Sequence, residues 1–164
     1  MTASLGIDLG ERRIGIALAE DGALSARPLA TLRRGRTLDA DLAALRLLVD
    51  AHDITALVIG LPLEAAGQEG TQAALTRGWV EAVAAALERE VTFAFRDERL
   101  SSYRAEQRLG PMRRGRSGGP PTKHQRDAYR ARVDREAAAI ILQDALDARF
   151  VPDPPAPTKM ETTS

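Results

Sequence analysis

Six consecutive residues, Ile54-Thr55-Ala56-Leu57-Val58-Ile59, form a near-continuous apolar run that Gly60-Leu61-Pro62 brings to an end. A run so short and so rich in β-branched residues reads as a strand, and a strand without polar alternation belongs in a sheet covered on both faces. That requirement commits the chain to helices on each side of a sheet, an α/β domain. The 164 residues are enough for one such domain, expected over 1–150, with the Pro- and Thr-rich stretch 151–164 expected to be a disordered tail.

The neighbouring stretches fill in the layers. Leu5 to Gly10 reads as a first strand, and Ile14 to Glu20 and Ala23 to Leu32 as two more, joined by the turn dipeptide Asp21-Gly22. Pro28 suits an edge strand, where a missing N–H costs nothing. Thr37 is placed to cap a helix carrying Leu38, Leu42, Leu45 and Val49, with Asp39 and Asp41 favourable at its N-terminal dipole. A second helix from Thr71 carries Leu75, Trp79, Val83 and Leu87; between strand and helix, Leu63 to Gly70 reads as a mobile loop. Val91 to Arg96 is a further strand, Ser101 or Ser102 can cap a helix after it, and Pro111 to Gln125 is a basic loop without periodicity. An apolar helix then runs from Asp134 through Leu146. The expected sheet is mixed and five-stranded.

Three carboxylates stand out against this background. Asp8 lies inside an apolar strand, where Asp is disfavoured, and shares its face with Gly6 and Gly10, which leaves room for a ligand or another backbone. Asp97-Glu98 ends the last strand, and alternation sends the two acids to opposite faces, so only one can reach a given site. Asp134 falls in the expected first turn of the last helix, where an Asp is more often a cap than a ligand. If the first and fourth strands are neighbours, Asp8, Glu98 and Asp134 converge at one end of the sheet. Three such carboxylates repel unless a counter-ion or protons intervene.

A hard divalent ion is the natural counter-ion, Mg²⁺ or Mn²⁺ with oxygen ligands. The chain has no cysteine and only two separated histidines, which excludes thiolate and His-based zinc sites. Two ions about 3.5–4 Å apart would activate a water and stabilise the leaving oxygen of a phosphodiester. The charge pattern agrees. Formal charge cancels over the chain, but Arg104 to Arg135 holds ten Lys or Arg against three acids, a net of +7 that leaves −7 for the rest. This basic block lies between the second and third acids, where its arginines can hold a nucleic-acid backbone. No leader-like segment or long apolar run is evident, which reads as a cytoplasmic protein with no membrane partner.

Four stretches together resemble the YqgF/RuvX family: Ile7-Asp8-Leu9-Gly10 with Arg13-Ile14-Gly15; Gly60-Leu61-Pro62 with Gly67, Glu69 and Gly70; Asp97-Glu98-Arg99-Leu100-Ser101-Ser102; and Val133-Asp134 with Ala137-Ala138 and Ile141-Leu142-Gln143. The resemblance covers about residues 4–148. It implies a ribonuclease H-like fold and a cytoplasmic bacterial nuclease related to RuvC, acting on pre-16S rRNA or on Holliday junctions. Carried over by position, it puts the catalytic and metal-binding acids on Asp8, Glu98 and Asp134. The expected nucleic-acid contacts are Arg13, Arg99, Arg113, Arg114, Arg116, Lys123 and Arg126. Glu64-Ala65-Ala66 departs from the polar stretch usual in that loop, and Glu136, two residues after Asp134, points elsewhere on a helix.

Two other classes fit parts of the pattern. An actin- or sugar-kinase-like ATP-binding domain also begins with an Asp-x-Gly strand and hairpin, but pairs two such lobes, and one domain has no second lobe. A non-catalytic nucleic-acid-binding module in transcription or ribosome assembly would need neither metal nor turnover. Junction cleavage would call for two active sites and hence a homodimer.

Overall fold

The computed structural model describes residues 3–148. The expected tail at 151–164 lies outside them. Five strands and four helices follow in the order β1 (Ser4–Leu9), β2 (Arg13–Ala19), β3 (Arg27–Arg33), α1 (Leu38–Ala51), β4 (Ala56–Leu61), α2 (Thr71–Ala86), β5 (Thr92–Asp97), α3 (Ser101–Leu109) and α4 (Lys123–Asp147). The sheet order is β3-β2-β1-β4-β5. The first three strands form an antiparallel meander, while β4 and β5 run parallel to β1, so the sheet is mixed. Every residue of β4 is buried, and the strand extends through Gly60 to Leu61. Pro28 lies on the edge strand β3, next to a bulge at Ile16/Ala17 in the partner.

Alternation along the strands separates two cores. Leu5, Ile7, Ile14, Ile16, Leu57 and Ile59 pack with residues of α1 and α2, among them Leu45, Val49, Trp79 and Val83. The other face of the sheet is made of small residues, including Ala17, Ala19 and Val58, and receives Ala138, Ile141, Leu142 and Ala145 of α4. Small residues let the helix come close. A Cβ on Gly6 would lie 2.5 Å from the Ala138 carbonyl oxygen, and one on Gly15 only 2.0 Å from that of Asp134. Neither position tolerates a side chain beneath this helix. A third, smaller cluster joins α3 to α4 through Ala105, Val133, Ala137 and Ile140.

Several expectations need correction. Residues 20–26 are a connection rather than the start of β3. The Gln143 side chain of α4 accepts from Ala26 N and donates to the Leu24 carbonyl, occupying groups a strand would have paired. Thr37 does cap α1, accepting from Ala40 N. Asp41, however, is buried and serves the chain before the helix: it accepts from Gly35 N at 2.9 Å and from Arg34 Nε at 3.0 Å. The buried residues of α2 are Ala73, Thr76, Trp79, Val80 and Val83, while Leu75 is exposed. Residues 63–70 fold back as a small hairpin with a Leu63–Glu69 bridge, a Glu64 N to Gln68 O bond of 2.8 Å and Gly67 at φ +83°. The caps of α3 also differ, since the Ser101 hydroxyl donates to the Glu98 carbonyl instead of capping the helix.

The largest difference is in α4. It starts at Lys123, behind a capping box formed by Thr122 and Gln125, so Asp134 lies about three turns inside it. Its first half has almost no apolar periodicity because few of its side chains pack: Tyr129 and Val133 meet α3, and the tie to β3 is polar, from the Thr31 hydroxyl to the Ala131 carbonyl. Lys123 therefore belongs to a helix, not to the basic loop, and Arg126 lies on the same helix.

Candidate active site

Asp8 stands opposite Gly15 in the β1–β2 ladder, and α4 crosses that point with the Asp134 backbone against Gly15. On the other side of β1, the parallel pair Ile7–Ile59 places Gly60 next in line beside Asp8. The Glu98 side chain, from the end of β5, lies across Gly60: a Cβ there would meet Glu98 Oε2 at 2.4 Å. Two glycines thus make the space beside Asp8 that the Glu98 side chain and the Asp134 backbone fill. Asp97 takes the other direction and pairs with Arg99 at 2.8 Å.

The carboxyls of Asp8 and Glu98 are hydrogen-bonded to each other. Burial pushes Glu98 up to about 8, reinforced by the charge of Asp8 and the shared hydrogen bond. Burial likewise raises Asp8 to about 6; the bond from Glu98 opposes the rise, and the charge of Asp134 adds to it. Near neutral pH the pair therefore holds a proton, with Glu98 donating to the Asp8 carboxylate. Glu98 Oε2 is buried without any hydrogen-bond partner. An orphaned carboxylate oxygen beside a second acid is a poor resting arrangement for a bare protein and a suitable one for a hard cation. Asp134 is engaged elsewhere: Arg13 Nε donates to its Oδ2. Among the described residues no three His, Asp or Glu already stand together as a ligand set.

The positive residues sort into two groups. Arg99 is locked onto Asp97 and the Ala65 carbonyl, and Arg126 donates to the Pro121 carbonyl. Arg113, Arg114 and Arg116 lie in the loop between α3 and α4, with Arg114 bonded to the Gly118 carbonyl. Arg13 and Lys123 instead line an open groove of about 640 Å³ together with Arg12, Arg33, Arg34 and Arg130. A smaller hollow of about 440 Å³ shares Arg12, Arg13 and Arg130 with it and reaches Asp134. The sequence did not single out Arg12, Arg33 and Arg34, and it marked Arg130 only as one of the ten cations of the basic block. The tandem pairs Arg12-Arg13 and Arg33-Arg34 were the available signal, but their meeting depends on strand register.

A family model for RuvX, described as Holliday junction resolvase, matches residues 2–148. The chain belongs to the RuvX family. Among its curated relatives, a protein of Anaeromyxobacter sp. (strain Fw109-5) named "Putative pre-16S rRNA nuclease" is 43% identical over 145 residues, covering 88% of this chain and 96% of that protein. A relative with the same name from Chloroflexus aggregans is 40% identical over 148 residues, covering 90% and 95%. Among solved structures, RuvC of T. thermophilus in complex with a Holliday junction substrate superposes with a TM-score of 0.53 at 18% identity, covering 91% of this chain and 96% of that one. At that identity the likeness concerns the fold, which is the ribonuclease H-like α/β sheet flanked by helices. This RuvX chain has the catalogue of elements in the order its motifs implied.

Proposed function

We propose that this RuvX chain is a divalent-cation-dependent endonuclease that hydrolyses phosphodiester bonds in structured nucleic acid, with precursor 16S rRNA its substrate. The observation that carries the reading is the Asp8–Glu98 carboxyl pair with its orphaned Oε2, set beside a cationic groove. The names of relatives at 40–43% identity favour rRNA over a DNA junction. A symmetric four-way junction needs two sites and hence a pair of chains, whereas one chain suffices to cut a precursor strand. The same reading places the protein in the cytoplasm; no helix among the described residues is long and apolar enough to cross a membrane.

Asp8, Glu98 and Asp134 are the residues that would hold Mg²⁺ or Mn²⁺. Oxygen donors alone suit these ions, and their positive charge relieves the repulsion now relieved by a proton. When bound, a pair of such ions supplies Lewis acidity to the attacking and leaving oxygens of an in-line displacement. The rest falls to the chain. Glu98 holds the shared proton and would release it to solvent when a cation takes its place. Asp134 lies on Arg13 and would have to leave it to join the site, which would free the Arg13 guanidinium for a substrate phosphate.

The test is cleavage of a precursor rRNA 5′ segment and a synthetic four-way junction, side by side, with Mn²⁺, Mg²⁺ or chelator, using wild type and Asp8→Asn. Metal-dependent cutting of the rRNA that Asp8→Asn lowers by orders of magnitude is expected. Faster cutting of the junction would move the substrate to DNA. No cutting of either, with binding retained in chelator, would make the protein a non-catalytic binding module.

A further inference from the structure

Many arginines in this fold have a carboxylate. Arg13 has Asp134, Arg34 has Asp41, Arg89 has Asp53, Arg104 has Asp144 and Arg108 has Glu136. Other cations have none, among them Arg36, Arg96, Arg113, Arg116 and Arg132, but four that have none line one groove. Arg12, Arg33, Lys123 and Arg130 are exposed and make no ion pair or side-chain hydrogen bond with another described residue.

The backbone brings them together despite their repulsion. The turn from β1 to β2 closes with Gly10 N bonded to the Arg13 carbonyl, which puts Arg12 at its tip. Antiparallel register sets Arg13 directly opposite Arg33, and Arg34 N bonds to the Arg12 carbonyl at 2.9 Å, so two tandem arginine pairs share one corner of the sheet. Like charges facing each other across a ladder are destabilising. The fold neutralises only the inner member of each pair, through Asp134 and Asp41, and leaves the outer members open to solvent. Helix α4 forms the opposite wall, tied to β3 by the Thr31 hydroxyl donating to the Ala131 carbonyl. Lys123 and Arg130 lie two turns apart on that wall, about 10 Å along the axis. That is longer than a single phosphate requires. Two acids, Glu11 and Asp127, also line the groove and leave it net positive.

We infer that this groove is a backbone track: Arg12, Arg33, Lys123 and Arg130 bind successive phosphates of the polynucleotide strand that continues from the acid pair past Asp134. The identity of the ligand as a polynucleotide rests on the nuclease reading; the location and the residues rest on the unpaired cations. The contacts are to phosphate, so the track serves RNA and DNA alike and reads no bases. It also assigns the basic loop at Arg113, Arg114 and Arg116 a lesser part, since none of these lines the groove.

The experiment measures binding without turnover. A fluorescent single-stranded RNA and a DNA of the same sequence are titrated in chelator over a range of salt. The variants are Arg12→Gln/Arg33→Gln/Lys123→Gln/Arg130→Gln, Arg33→Gln/Arg130→Gln, and Arg113→Gln/Arg114→Gln/Arg116→Gln. The four groove side chains hold no partner in the fold, so the quadruple variant is expected to unfold at the wild-type temperature. Removing four phosphate contacts is expected to lower the slope of log affinity against log salt by about 3, and the double variant by about half of that, equally on RNA and DNA. An unchanged slope in the quadruple variant would overturn the track. So would a loss carried wholly by the loop variant, or one confined to RNA. Cleavage assayed in parallel keeps the two ideas apart: a groove-dependent slope without cutting in any metal overturns the nuclease and keeps the track, and cutting with an unchanged slope does the reverse.

Discussion

Glu98 occupies the space that a side chain on Gly60 would fill: a Cβ at residue 60 would sit 2.4 Å from Glu98 Oε2 and 2.6 Å from Ile141 Cδ1. Both are inside van der Waals contact, and Ile141 of α4 is fixed in the core against the sheet. Gly60→Ala is therefore expected to displace the Glu98 carboxyl from Asp8. Cleavage should fall by about 100-fold or more, with a loss of about 1–3 kcal/mol in stability from overpacking. Single-turnover rates and urea unfolding check this. Wild-type cleavage in the variant would mean that Glu98 is not needed where it now lies.

The carboxyl pair ties stability to pH. Asp8 and Glu98 are raised from 3.8 and 4.5 to about 6 and about 8, so between about pH 4 and about pH 8 the native chain binds more protons than the unfolded one. Stability from these groups is fully present below the unfolded values and is lost as pH rises through the folded ones. In chelator, the urea midpoint should therefore fall over that window, and Glu98→Gln should flatten the fall. Mg²⁺ should restore the midpoint at the upper end, because it replaces the proton as counter-charge. A midpoint that rises with pH in wild type but not in Glu98→Gln would contradict the assignment.

In the proposed cation site, Arg13 would compete with the cation for Asp134, to which it donates. Removing it in Arg13→Gln leaves that carboxylate without its partner and should tighten Mn²⁺ binding by roughly threefold to tenfold, the worth of a half-buried pair. Cleavage should fall at the same time, since the guanidinium no longer meets the phosphate. Calorimetric titration of Mn²⁺ separates the two effects. Weaker Mn²⁺ binding in the variant would show that Arg13 positions Asp134 rather than withholds it.

Asp41 carries structure rather than chemistry. Its buried carboxylate holds Arg34 Nε and Gly35 N, and Arg34 in turn donates to the Gly10 carbonyl at the turn beside the acids. Asp41→Ala should cost about 2–4 kcal/mol, because it strands a half-buried guanidinium and a backbone N–H. Arg34→Ala/Asp41→Ala should recover part of that loss. Urea unfolding of both variants decides it; equal losses would mean the pair contributes nothing beyond the Asp41 backbone contact.

Local pattern was enough for much of this molecule. The apolar run at β4 required a sheet covered on both faces, Thr37 marked the start of α1, and Pro28 marked an edge. Period-two alternation separated Asp97 from Glu98 before any fold was assumed, because side-chain direction along a strand depends on neighbouring residues alone. Two of the candidate acids stood out for a local reason as well, since Asp8 interrupts an apolar strand and Asp97-Glu98 ends one, whereas Asp134 breaks no local rule. What was not legible depended on distant neighbours. The polar first half of α4 has no core to give it a period, so its helix start and the true depth of Asp134 were hidden. Leu24 and Leu75 look apolar in sequence and are exposed in the fold.

The sequence by itself determined which carboxylates are candidates for the site, since Asp8 lies in a short strand between glycines and Glu98 directly follows one. Only the tertiary structure decided their states. Whether Glu98 shares a proton with Asp8, whether Asp134 faces Arg13, and which arginines remain unpaired are set by the strand register and by how closely α4 lies on Gly6 and Gly15. Coulomb interactions and burial depend on distances between residues up to 121 positions apart, and no local spacing encodes those.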